Sequence, residues 1–185
     1  MINFKNIYFS IGGVSLFENA SGFVPTGHKV GIVGRNGVGK TTLFKLILNE
    51  IILDSGVIEL PKTFKIGSVS QEAPSTEETL LDTVLSADIE RSKLLYESQV
   101  EKDPNKIAEI HTRLSDINAY SAEAKASSIL NGLGFNKGDL LKPCSSFSGG
   151  WRMRVALASV LFSNPELLLL DEPTNYLDFE GSVWL

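Results

Sequence analysis

Eight residues constrain this chain more than any others: Gly34-Arg35-Asn36-Gly37-Val38-Gly39-Lys40-Thr41. With Thr42 following, they fit the pattern G-x-x-x-x-G-K-[ST], and both flanks suit it. Residues 29–33 form a short apolar run that predicts a strand. Leu43, Leu46 and Ile47 then recur at helical spacing and predict a helix over 40–49. Glycines let successive backbone N–H groups curl around an anion, and the following helix aims its positive end at the same point. A glycine-rich turn with a chance lysine is the weaker reading once strand and helix flank it.

The rest of the chain alternates strand-like and helix-like segments, which predicts α/β construction. Ile2, Phe4, Ile7 and Phe9 predict an edge strand, and residues 57–60 and 65–70 two more. Between 79 and 120 the period is helical, with Leu81, Leu85, Ile89, Ser92 and Tyr96 near one stripe. Ile107, Ile110, Leu114 and Ile117 form another stripe beyond Asp103-Pro104-Asn105. Pro104 as a break and Asn105 as a cap predict two antiparallel helices joined by a tight turn, a solvated hairpin packed on the main sheet, with a docking lever as the other reading. A further helix is expected over 122–133, and one from just after Ser148 to Ser163-Asn164-Pro165. The run 167–170 predicts a buried strand.

Composition narrows the class. With 185 residues, 43% of them hydrophobic, the chain is the size of one globular domain. No apolar run approaches the ~18–20 residues that cross a bilayer, and the first twenty residues lack a secretory pattern. A single cysteine, Cys144, suits a reducing compartment, so a cytoplasmic protein with no membrane partner is expected. The net charge of −5 is uneven: residues 71–125 carry twelve acidic and six basic side chains. That stretch would repel nucleic-acid phosphates, so such a partner cannot be held by the overall field.

Three groups of residues carry the chemistry. Lys40 is placed to reach the β- and γ-phosphates of a nucleotide, and the Thr41 hydroxyl to help hold Mg²⁺. In Leu167-Leu168-Leu169-Leu170-Asp171-Glu172-Pro173 the charges arrive only at the carboxyl end of the strand, where ligands sit in open parallel sheets. Asp171 would orient Mg²⁺, and Glu172 would polarise an attacking water as general base. Ser148-Gly149-Gly150 opens a helix and makes a second anion-binding end, with Ser148 as its N-cap. Two such ends suggest that each serves a different nucleotide.

The order of these motifs resembles the ATP-binding cassette superfamily over nearly the whole chain. Residues 34–41 resemble Walker A and Gln71 the Q-loop glutamine that senses Mg²⁺ and the attacking water. Phe147-Ser148-Gly149-Gly150-Trp151 resembles the signature motif, residues 167–172 Walker B, and Asn175-Tyr176-Leu177-Asp178 the D-loop. The resemblance implies a P-loop NTPase fold of the ABC ATPase type: a mixed sheet with an N-terminal antiparallel β part and a helical subdomain over 79–135. It also implies ATP sandwiched between the Walker A of one cassette and the signature motif of another, so a second cassette is the expected partner. Ser-Gly-Gly-Trp-Arg-Met-Arg-Val-Ala-Leu-Ala at 148–158 and Asp-Glu-Pro-Thr-Asn-Tyr-Leu-Asp at 171–178 are similar to the ABC-F branch. Members of that branch are soluble two-cassette ATPases that engage the ribosome, its RNA and tRNA. The alternative carried beside it is the ATP-binding subunit of a membrane transporter; a non-hydrolysing, nucleotide-dependent scaffold is a third.

The sequence departs from the family pattern in places. Tyr176 stands where the branch usually has His, and Phe147 where Leu is commoner. Ile11 falls where many cassettes place an aromatic that stacks on adenine, with Phe9 or Phe17 as substitutes. The Asp103-Pro104-Asn105 turn predicts a short arm or none. The ending at Gly181-Ser182-Val183-Trp184-Leu185 reads as a cut before the closing strands and the switch histidine, in a first cassette expected to turn over ATP negligibly by itself. His28 and His111 read as surface residues, Cys144 as a small buried or loop thiol, and Arg152 and Arg154 as helix-face cations or phosphate contacts.

Overall fold

The fold is taken from a computed structural model whose described residues are 1–61, 64–69 and 74–175. They form two compact units, Met1–Ile66 and Gly67–Leu185.

In the first unit, β1 (Ile2–Ile11) pairs antiparallel with β2 (Val14–Val24) on one side and β3 (Ser55–Glu59) on the other. The alternating run that predicted an edge strand is therefore the inner strand. Its parity breaks once. Ile2 and Phe4 share one face, Asn6 turns to a φ of +47°, and Ile7 and Phe9 resume the buried side. The register shift between Phe4 and Ile7 is a β-bulge, which corrects the face without ending the strand. Helix α1 (Lys40–Ile47) completes the unit and buries Leu46 and Ile47. Residues 29–33 belong to no strand, and Val33 is 97% exposed. Apolar composition favours a strand, but a strand exists only by pairing, and no ladder in this unit takes these residues.

The second unit is mainly helical. α2 (Leu80–Leu85), α3 (Ile89–Val100), α4 (Pro104–Asp116), α5 (Ala122–Gly132) and α6 (Gly149–Phe162) accompany a two-stranded sheet of β4 (Ile66–Ser68) and β5 (Leu167–Leu169). Leu80, Val84, Leu130, Leu133 and Val155 are fully buried where α2, α5 and α6 meet. β4 comes close to the end of α6: a Cβ on Gly67 would collide with Val160 and Pro165. α6 ends at Phe162, whose carbonyl accepts from Lys125 Nζ at 2.9 Å. Asn164 then turns left-handed (φ +50°) before Pro165.

The long helical stretch divides earlier than its periodicity suggested, because Asp88 caps a new helix by accepting from Arg91 N. α3 buries no residue and packs on α4, which in turn packs on a short 3-10 turn at Ala119–Ser121. Residues 101–103 alone separate the two helices. The cap of α4 is Asp103, not Asn105: its carboxylate accepts from Asn105 N at 2.9 Å, with Pro104 opening the first turn. Proline fits there because that turn needs no N–H from it.

Candidate functional site

Each unit presents one candidate anion site, and the two share a physical signature. Across the six helices of the described residues, α2, α3 and α4 are capped by side-chain oxygens of Thr79, Asp88 and Asp103. α5 lacks such a cap but carries Glu123 in its first turn. Only α1 and α6 start with neither a capping side chain nor an acidic residue. With no capping side chain and no carboxylate beside them, these two positive dipole ends are the ones suited to an external anion.

At α1 the entry is built from the backbone. Gly37 and Gly39 have φ of +80° and +103°, a region where side chains are strained. Gly39 also sits beside Leu16 and Phe17 of β2, where a Cβ would make ordinary contact, so the backbone angle is what calls for glycine there. Lys40 folds back along the loop, and its Nζ donates to the carbonyls of Gly34 at 2.8 Å and Arg35 at 3.1 Å. An ammonium carries three donors, so one remains for a ligand oxygen. Residues 34–38 are exposed. Of the two aromatics proposed to stack on adenine, Phe9 is buried and Phe17 lies against the loop. Ile11 is exposed.

At α6 the N-cap is Ser148, as its position predicted, but its side chain makes no cap bond and is exposed. The hydroxyl is thus uncommitted beside Gly149 and Gly150. Packing holds this end in place. The Phe135 ring meets Phe147 edge-on at 5.7 Å and Trp151 at 4.9 Å. The Arg154 guanidinium lies 4.4 Å from the Trp151 ring and donates to the Leu133 carbonyl at 3.1 Å. Arg154 is thus held beside Trp151 and the end of α5. The Phe147 departure is a packing residue, as its edge-on contact with Phe135 explains.

Beyond β5 the chain turns. Asp171 is half-buried, and Glu172 is exposed with a φ of +49°, a conformation that costs a non-glycine residue about 1 kcal/mol. Asn175 stabilises it twice: its Nδ2 donates to Glu172 Oε2 at 2.9 Å and its backbone N to the Glu172 carbonyl at 3.1 Å. Sequence reasoning gave Asn175 to the D-loop and missed this contact. The spacing Glu-Pro-Thr-Asn, a turn with proline second, could have revealed it. Gln71, Tyr176, Leu177 and Asp178 lie outside the described residues.

The remaining candidates are structural. His28 Nδ1 lies 3.2 Å from the Thr26 carbonyl, and His111 Nδ1 lies 3.0 Å from the Tyr120 hydroxyl. Among the described residues no three His, Cys, Asp or Glu cluster as a metal site. Cys144 is fully buried and its thiol donates to the Pro74 carbonyl. Burial pushes that thiol up from its ordinary value. Cys144 is therefore expected to resist iodoacetamide at neutral pH in the native chain and to react at once in urea. Equal labelling rates in the two conditions would contradict its burial.

The family described as ABC transporter matches residues 17–175, which takes in both glycine loops and the Asp171-Glu172 turn. The chain belongs to the ABC transporter family. It is 42% identical over 188 residues to a protein of Escherichia coli K12 named "Probable ATP-binding protein YheS", covering all of this chain and 30% of that one. ABC transporter F family member 3 of Arabidopsis thaliana is 41% identical over 209 residues, with 100% and 28% covered. The chain thus spans less than a third of the length of these curated relatives. The fold is that of a solved ATP-binding cassette, described as dimeric, in a post-hydrolysis state and bound to ADP and Pi. The TM-score is 0.64 at 21% identity, with 100% of this chain and 79% of that one covered. The mixed α/β cassette fold expected from the motifs is therefore present, with its antiparallel sheet and its helices. Among the described residues no helix is long and apolar enough to cross a membrane.

Proposed function

We propose that this cassette binds MgATP and, paired with a second cassette, hydrolyses it in a protein of the F branch that couples the cycle to ribosome engagement. The observation that carries the reading is the pair of helix ends at α1 and α6 with neither a side-chain cap nor a first-turn acid, against four helices that are capped or acidic. The α1 end takes the nucleotide of its own cassette. The α6 end, with Ser148, Gly149 and Gly150, completes the site of the partner.

The roles follow from chemistry. Backbone N–H groups of residues 34–42 cradle the phosphates, and Lys40 adds a charge to the β- and γ-oxygens. Thr41, Asp171 and Gln71 supply hard oxygen donors, which suits Mg²⁺. With no cluster of three acidic or imidazole ligands among the described residues, Mg²⁺ would be held largely by phosphate oxygens and water, its habit beside nucleotides. When bound, such an ion would supply charge neutralisation for the phosphoryl group. Glu172 accepts the proton of the attacking water while Asn175 fixes its carboxylate. Half of each site lies on the other cassette, so an isolated cassette is expected to turn over ATP negligibly.

The F-branch reading rests on relatives about 40% identical along the whole chain. A transporter-subunit reading has one observation in its favour: similarity to an inward-facing metal-chelate type ABC transporter, 26% identical with a TM-score of 0.64. Sedimentation separates the two. The complete gene product, incubated with a non-hydrolysable ATP analogue, is expected to run with ribosomes on a sucrose gradient and to leave them when ADP replaces it. Recovery with the membrane fraction under both nucleotides would overturn the ribosome reading.

A further inference from the structure

The segment that follows Gln71 is tied to the segment that precedes the α6 glycines. Ser145 N donates to the Thr76 carbonyl and Cys144 N to the Glu78 carbonyl, both at 2.9 Å. Thr79 and Pro143 form an antiparallel bridge, and Leu80 N reaches the Lys142 carbonyl at 3.1 Å. One side chain from α6 itself joins this seam: Arg152 Nη1 donates to Ser75 Oγ at 2.7 Å. Its Nε is buried with no hydrogen-bond partner. Leaving a buried donor unpaired is costly, and an aliphatic side chain would fill the same space without that cost. A guanidinium retained there despite an orphaned nitrogen indicates a position held for geometry.

We propose that Arg152 is a positioning residue that pins residues 74–76 to the amino end of α6. Residues 74–76 and the glycines at 149–150 are then held as one piece. This rests on the ATPase reading above and adds a coupling to it. Gln71 serves the nucleotide of its own cassette, whereas Ser148, Gly149 and Gly150 serve that of the partner. Pro74 stands three residues after Gln71 in the sequence. Arg152 touches neither nucleotide in this scheme. It sets the alignment of two loops whose joint placement decides how well the paired sites close.

The test is kinetic and uses the complete gene product. Arg152→Ala is expected to lower kcat for ATP by ~10-fold, the worth of one charge-assisted hydrogen bond, while KM changes by less than about twofold. Ser75→Ala is expected to act in the same direction. The double variant is expected to add nothing to Arg152→Ala, because both remove one bond. Arg152→Lys, which keeps a charged donor, is expected to recover part of the rate. Turnover at the unsubstituted level in either alanine variant, additive effects in the double variant, or no recovery with lysine would each overturn the proposal. If Arg152→Ala fails to fold, Ser75→Ala, which removes one hydroxyl, carries the test. Lys40→Ala in the same assay separates the two claims. Undiminished turnover there would sink the ATPase reading itself, whereas an inactive Lys40→Ala beside an unaffected Arg152→Ala would sink only the tether.

Discussion

Glu172→Gln in the complete gene product is expected to cut steady-state ATP turnover by ~10²–10³-fold while ATP still binds. Glutamine keeps the shape of the side chain and an oxygen for the Asn175 amide, so the turn at 172–175 survives. What is lost is the carboxylate that takes the proton of the attacking water. The left-handed backbone at Glu172 sharpens the expectation. A strained residue stabilised by two contacts from Asn175 gives its carboxylate one direction, and strain of this kind gathers where a side chain must be aimed. ATP binding without cleavage should leave the paired cassettes closed. Nucleotide retained through gel filtration, read against a single-turnover phosphate assay, measures both halves. Unchanged turnover would remove Glu172 from the role of base.

Lys40→Ala is expected to weaken MgATP binding by ~10²-fold, the upper range for a hydrogen bond to a charged group. The geometry explains why the loss should fall on affinity. Lys40 bridges the Gly34 and Arg35 carbonyls, so the substitution removes a cation from the phosphate cradle and also the staple that holds the loop's first turn. Titration of a fluorescent ATP analogue gives the dissociation constant directly. Lys93→Ala, on the exposed face of α3 beside Glu97, serves as a control that should change it by less than about twofold. Equal affinities for the Lys40 and Lys93 variants would show that the loop does not grip phosphate.

Much of this architecture was legible because local rules and tertiary structure agree. Glycine at 37 and 39 followed by Lys40 announces a left-handed loop entering a helix, and that is what forms. The span of α6 could be read from Ser148 at one end and Asn164-Pro165 at the other. Elements defined by their neighbours were harder. Residues 29–33 are apolar enough for a strand, yet pairing decides the matter and composition is silent about pairing. The alternating polar face of β1 suggests solvent and an edge; its partners in β3 are residues 55–59, which no short window sees. The cap of α4 lies two residues before Asn105, since Asp103 and Asn105 are both good cap residues and only the geometry of Pro104 chooses between them. At the candidate site, residue types revealed Lys40, Asp171 and Glu172. They could not reveal Asn175 as the clamp on Glu172 or Arg152 as the reach to Ser75, because each is a contact between side chains rather than a motif.

The inner place of β1 has a consequence for how the first unit comes apart. Ile2 pairs with Val24, Asn3 with both Phe23 and Glu59, and the Met1 ammonium donates to Thr26 Oγ1 at 2.8 Å. β2 and β3 share no ladder of their own; each is held by β1. A break within residues 2–11 would leave β2 and β3 as orphan strands, so β1 is the keystone of this β layer rather than its fringe.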